Sequence, residues 1–217
     1  MFCSKCGQEL LPTARFCSRC GTKQETIEVN TPKPVIPKIG DILMFGHIDH
    51  EDNKIPWVVL DSVNNELLLL CRNIISEQIF NSGDYQGVVW SNCSVRQWLN
   101  SEFLELCFSN NELERIVTKE IRTDIKAGLF GSKIGNDVSH DRVFLLSMDE
   151  VLKYLPTPQS RALHNRWWLR SPGSDNEYVA AVFDNGKIDK SGFLVDRYYG
   201  GIRPAVWIST TVNPKTL

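Results

Sequence analysis

The chain has 217 residues, 42% of them hydrophobic, and a formal net charge of −2 from 24 basic and 26 acidic side chains. That length buries a real core, and the near-neutral balance excludes a global basic field that would draw the whole chain to nucleic acid or anionic lipid. No apolar run approaches the ~20 residues that cross a bilayer, and the first residues have neither an apolar signal core nor a small-residue cleavage site, so the expected location is cytoplasmic.

Four of the seven cysteines fall within the first twenty residues, as Cys3-Ser4-Lys5-Cys6-Gly7 and, after ten residues counted from Gly7 to Phe16, Cys17-Ser18-Arg19-Cys20-Gly21. A two-residue gap lets both thiolates of a pair face one ion from a tight turn, and the following glycine permits the positive φ of that turn. Two such knuckles complete a tetrahedron of soft donors that suits zinc and leaves no open position for water, so the ion braces structure. A segment this short folds on its metal, with Phe2, Leu10, Leu11 and Phe16 expected to cluster around the site. Residues 1–23 resemble the short bacterial zinc ribbons, and the resemblance implies a protein or nucleic-acid contact module without catalysis of its own. Lys5, Arg15, Arg19 and Lys23 outnumber Glu9, which allows a phosphate contact or simply keeps an exposed knob soluble.

Residues 24–38 contain Pro32, Pro34 and Pro37 with little apolar periodicity and read as a linker. Held near polyproline geometry at about 3.1 Å per residue, it would let the ribbon range some ~40 Å.

Residues 39–212 read as one α+β domain, mostly antiparallel β with two or three helices. Three apolar, β-favouring runs, residues 40–47, 55–60 and 66–75, are joined by Asp52-Asn53 and Asn64-Asn65, which predicts an antiparallel meander. Ser94 is expected to cap a helix over residues 95–108, with Val95, Trp98, Leu99, Phe103 and Leu106 on its apolar face. Residues 127–141 are rich in glycine and polar side chains, lack the ending of a phosphate loop, and read as a mobile surface loop. Ser147-Met148-Asp149-Glu150 is a capping box opening a second helix that Pro156 and Pro158 end. Strands are expected at 166–171, 178–183 and 201–209, with a type I′ hairpin turn at Asn185-Gly186.

The segments Trp167-Trp168-Leu169-Arg170-Ser171-Pro172-Gly173 and Gly200-Gly201-Ile202-Arg203-Pro204-Ala205-Val206-Trp207, with residues 94–100 and 143–147, resemble a bacterial domain family of unknown function found behind zinc ribbons or cell-surface anchors. The same two segments are similar to C-type-lectin-like domains of the formylglycine-generating and retroelement-diversified groups. That resemblance implies a fold that displays ligands on loops. The calcium signatures of sugar-binding lectins, E-P-N and W-N-D, are absent from the sequence.

Period-2 geometry puts Trp168 and Arg170 on one strand face and Arg203 with Ala205 and Trp207 on another. Such arginines either grip an anionic ligand beside indole rings or anchor loops through backbone carbonyls. Residues 174–178, including Asp175 and Asn176, and residues 196–200, including Tyr198, could rim a pocket or form ordinary turns. His47, Asp49, His50, Glu51 and Asp52 crowd together where a solvated turn is expected, and His140 and His164 fall in no recognised spacing. Cys71, Cys93 and Cys107 are scattered and suit buried small hydrophobes in a reducing compartment.

The leading expectation is a zinc-stabilised, non-enzymatic binding or adaptor protein that recognises a protein segment or small ligand through Trp168, Arg170, Asp175, Asn176, Tyr198 and Arg203. The competing expectations are an enzyme on a formylglycine-generating-like fold using one of the domain cysteines, and nucleic-acid binding through the ribbon.

Overall fold

The computed structural model describes residues 2–11, 14–23, 37–48, 53–83, 87–127, 132–174 and 177–211. The chain separates into two units, Met1–Ile36 and Pro37–Leu217. In the first, the sequence repeat becomes a structural repeat. Cys3 N donates to Gln8 O and Gly7 N to Cys3 O; fourteen residues later Cys17 N donates to Thr22 O and Gly21 N to Cys17 O. Gly7 and Gly21 hold φ of +68° and +67°, as the turn geometry predicts. Bridges Phe2–Glu9 and Phe16–Lys23 close the two halves. Among the described residues only Leu10 joins Cys3 and Cys17 in the buried interior. The apolar cluster expected there is therefore smaller than its sequence suggests: Phe2, Leu11 and Phe16 are 71%, 75% and 60% exposed. The linker expected at 24–38 lies outside the described residues except for its last two.

In the larger unit β1 (Ile42–His47), β2 (Lys54–Val63) and β3 (Glu66–Cys71) form the antiparallel meander. Asn64 and Asn65 turn β2 into β3 with both φ values positive, 51° and 62°, the type I′ geometry. β4 (Ser76–Ile79) follows, then a 3-10 turn at Trp90–Asn92 and three short helices, α1 (Ser94–Leu99), α2 (Glu102–Cys107) and α3 (Asn110–Arg115). The chain continues through β5 (Ile116–Val117), β6 (Lys119–Ala127), β7 (Ser132–Asp141), β8 (Val143–Leu145), α4 (Met148–Tyr154) and α5 (Pro158–Arg161). It ends in β9 (Trp167–Pro172), β10 (Tyr178–Val182), β11 (Ile188–Leu194), β12 (Tyr199–Ile202) and β13 (Pro204–Ser209).

One sheet runs β1-β2-β3-β13-β5, with β8 also paired to β13; a second runs β11-β10-β9-β12-β4; β6 and β7 form a separate ribbon. Pairing is antiparallel throughout except between β12 and β9. The domain is thus mostly antiparallel β with a few short helices. One core joins the sheets, with Trp57, Trp90, Trp167 and Trp168 fully buried in it, each indole large enough to dominate its neighbourhood.

Three local expectations are corrected. The helix foreseen over 95–108 is broken in two at Asn100, whose carboxamide is committed elsewhere. Its Nδ2 donates to Arg96 O and Val143 O, and its Oδ1 accepts from the amides of Arg142 and Val143. Ser94 is the first helical residue and not its cap; its hydroxyl donates to Phe80 O and accepts from Ser82 N, and Leu106 points outward, 62% exposed.

Residues 132–141 of the supposed surface loop are strand β7, paired along β6 from Lys119–Asp141 to Ala127–Ser132. Its alternation is inverted: Asp137, Ser139 and Asp141 are buried while Ile134 and Val138 are exposed. A hydrophobic period of two has nothing to register in such a strand. The hairpin of β10 and β11 is present, but its turn is a different type. Gly186 N donates to Phe183 O, Phe183 N donates to Lys187 O, and positive φ falls on Gly186 and not on Asn185, a type I turn closed by a left-handed glycine.

Candidate metal centre and candidate ligand cavity

The four sulfurs Cys3, Cys6, Cys17 and Cys20 lie within 4.8 Å of one another. Across the two knuckles, Cys3 Sγ is 3.6 Å from Cys20 Sγ and Cys6 Sγ is 3.6 Å from Cys17 Sγ. Sulfurs set tetrahedrally at about 2.3 Å from zinc are separated by about 3.8 Å, so the spacing fits that ion. Backbone amides already point at the anions to be: Lys5 N donates to Cys3 Sγ (3.5 Å) and Arg19 N to Cys17 Sγ (3.4 Å). The Gln8 amide pulls the Cys6 thiol down, yet burial and the three neighbouring thiols push it up to about 12. Thr22, through its hydroxyl and its amide, brings Cys20 down to about 6. Four thiols this close resist joint ionisation, and a divalent cation relieves that repulsion. The site holds zinc with all four protein ligands supplied, which makes it structural. Among the described residues no other group of three or more such ligands comes together; residues 49–52, with His50, lie outside them.

In the larger unit the residues expected to meet a ligand divide. Trp168 is fully buried, and Arg170 and Arg203 are 5% and 4% exposed. Arg170 donates through Nε to Thr123 Oγ1, through Nη1 to Leu145 O, and through both terminal nitrogens to the Glu150 carboxylate. Its stacking partner is Phe144, not Trp168. Arg203 donates Nε to Cys71 O at 2.9 Å and lies 4.9 Å over the Trp167 ring. Its Nη1 has no partner among the described residues, and burial lowers its pKa to about 10. These arginines anchor backbone, the alternative role the sequence left open. Asp175 and Asn176 lie outside the described residues.

Tyr198 is 46% exposed and belongs to an aromatic group the sequence did not reveal. The Arg166 guanidinium sits 4.5 Å from the Phe193 ring and 5.7 Å from those of Trp168 and Tyr198, and donates twice to Tyr199 O.

Two further anchors escaped sequence reasoning. Asp141, fully buried, accepts from Trp90 Nε1 (2.7 Å), Ser139 Oγ (2.8 Å) and Arg96 Nε (2.7 Å). Arg161 donates to Gly186 O and Leu155 O. The three domain cysteines are buried, and burial pushes Cys71, Cys93 and Cys107 up to about 11, 12 and 11. Such thiols are poor nucleophiles at neutral pH.

Open space lies elsewhere. A cavity of about 540 Å³ is lined by Gln78 and Ile79 of β4, Gln97 and Trp98 of α1, Glu102 of α2 and Tyr199 of β12. Three serines, Ser82, Ser94 and Ser101, complete its wall. That volume lies within the usual range of ligand clefts, and its wall mixes aromatic planes with carboxamides, hydroxyls and one carboxylate.

Residues 64–210 match the model of a family described as Domain of unknown function (DUF6273), and residues 2–24 match that of a zinc-ribbon domain. No curated protein and no solved structure matches the chain.

Proposed function

Because the chain belongs to the DUF6273 family, whose description carries no activity, we propose from its own chemistry that it is a non-enzymatic binding or adaptor protein. In this reading the ribbon is one contact module, and the larger domain recognises a protein segment or small ligand in the cavity beside β12. The observation that carries it is a division of labour. The reactive and charged side chains of the domain's interior, Arg170, Arg203, Asp141 and the three cysteines, are committed to the frame, while the open cavity is walled by groups suited to recognition.

Tyr198, next to Tyr199 in sequence, is proposed to share in recognition, and Asp175 and Asn176 remain proposed ligand contacts. Trp168 braces the wall through Gln78 O, and Arg170 and Arg203 hold the frame elsewhere. Display of a ligand on loops above a rigid β frame is what a C-type-lectin-like domain would offer, and that affinity is part of the proposal. A reducing compartment such as the cytoplasm goes with it, since zinc-binding thiols must stay reduced.

The test is a thermal-shift screen of the zinc-loaded full chain against peptide and metabolite libraries, repeated with Tyr199→Ala. A hit lost in the variant supports the proposal, and a saturated screen without hits counts against it.

A second reading has its own observation. Phe2 and Phe16, each immediately before a knuckle, are exposed beside Lys5, Arg15, Arg19 and Lys23, and aromatic rings among cations suit stacked single-stranded nucleic acid. Binding to single-stranded DNA and RNA across a salt series decides it: affinity must fall as salt rises.

A further inference from the structure

The cavity beside β12 also says what it would hold. Resting on the reading of that cavity as a recognition site, we propose that it takes a basic side chain, lysine or arginine, presented by a protein segment.

Charge comes first. Glu102 is the one charged residue among the described residues of the wall, and no lysine, arginine or histidine accompanies it. An anionic guest would lose its water with nothing to pair against, whereas a cation gains a carboxylate. Trp98 and Tyr199, the latter 60% exposed, add ring faces that attract an ammonium or guanidinium group.

Hydrogen-bonding capacity then favours a cation over a neutral polar guest. Both carboxamides spend one of their two N–H donors on a neighbour: Gln78 Nε2 donates to Ser76 Oγ and Gln97 Nε2 to Asn92 O. Two of the hydroxyls do the same, Ser101 Oγ to Gln97 O and Ser94 Oγ to Phe80 O. What these four side chains still offer is mainly acceptor oxygen, with one N–H left on each carboxamide, and Glu102 offers nothing but acceptors. Lysine and arginine heads are donors only, so the two inventories are complementary. A polyhydroxylated guest needs donors from the wall as well. Those that remain, one N–H on each carboxamide with the donors of Trp98, Ser82 and Tyr199, suit backbone carbonyls of the segment that carries the basic side chain.

The experiment uses the zinc-loaded full chain labelled with ¹⁵N, with the Trp98 indole resonance identified by its loss in Trp98→Phe. Four probes are titrated: capped tripeptides Gly-Lys-Gly, Gly-Arg-Gly and Gly-norleucine-Gly, and a neutral trisaccharide. The lysine or arginine peptide should shift the Trp98 resonance saturably, about tenfold more tightly than the norleucine peptide. Glu102→Gln, an exposed change that keeps shape, should weaken it by at least about threefold and reduce its salt dependence. Equal binding of the norleucine peptide, no effect of Glu102→Gln, or a response to the trisaccharide alone would overturn the basic-guest assignment while leaving a recognition cavity. Silence of the Trp98 resonance to all four probes would overturn both.

Discussion

The carboxylate of Glu150 closes the first turn of its own helix and receives the guanidinium of Arg170 from strand β9. Ser147 N donates to Glu150 Oε2 at 2.8 Å, and Glu150 N donates back to Ser147 Oγ. Arg170 Nη2 meets the other oxygen at 2.9 Å. Removing the carboxylate leaves a guanidinium that is only 4% exposed without its counter-ion. Glu150→Ala should therefore cost about 3–5 kcal/mol. Glu150→Gln, which keeps the cap acceptor, should cost less. Urea unfolding of the two variants gives the comparison.

Zinc removal should act on one unit. Chelation, or Cys17→Ser, should collapse the amide resonances of residues 2–23 while those of β1–β13 persist, because among the described residues the ribbon's buried interior amounts to Leu10 and two cysteines. The intact chain should carry one zinc per molecule by elemental analysis. Residues 2–23 staying ordered after chelation would contradict the metal-dependent fold.

The buried thiols set an alkaline limit. Cys71, Cys93 and Cys107 are raised from 9.0 to about 11, 12 and 11, in each case chiefly by burial. Unfolding lets them ionise near 9, so their contribution is complete below that pH and is lost as pH climbs toward the folded values. Above 9 each thiol should steepen the decline by up to about 1.4 kcal/mol per pH unit. Cys93→Ala should flatten the curve by one such increment in denaturation experiments between about pH 8 and about 10.5. Alkylation of the native, zinc-loaded chain at pH 8 should spare all three.

Gly200 lies against the Trp168 ring so closely that a Cβ there would come 2.3 Å from Cε2. The ring cannot yield, since it is fully buried and its Nε1 donates to Gln78 O. Gly200→Ala should cost about 1–3 kcal/mol and alter the near-ultraviolet dichroism of the tryptophans.

What could be read from sequence was whatever is local. The cysteine pairs with their glycines, the meander with its Asn64-Asn65 turn, and the Ser147–Glu150 capping box all depend on residues a few positions apart. The misread parts depend on distant partners. β7 hides its polar face because Trp90, Arg96 and the Ser91 amide wait to receive it, and Asn100 ends a helix to serve a strand more than forty residues on. The motifs most suggestive of a ligand, Trp-Trp-Leu-Arg-Ser and Gly-Ile-Arg-Pro, are joints of the frame: Ser171 Oγ accepts from Met148 N and Arg203 reaches Cys71 O. The cavity draws on β4, α1, α2 and β12, an assembly no short motif announces.

β13, one of the last strands, lies inside the first sheet, hydrogen-bonded to β3 on one side and to β5 and β8 on the other. A nascent chain therefore exposes the β3 edge, with its four consecutive leucines, until residue 209 has cleared the ribosome. The ribbon needs only its first two dozen residues and a metal ion, so it can mature during translation, whereas the larger unit folds after it, by slow non-local closure. A chain cut short before β13 would be a substrate for chaperones and proteases, with its ribbon already formed.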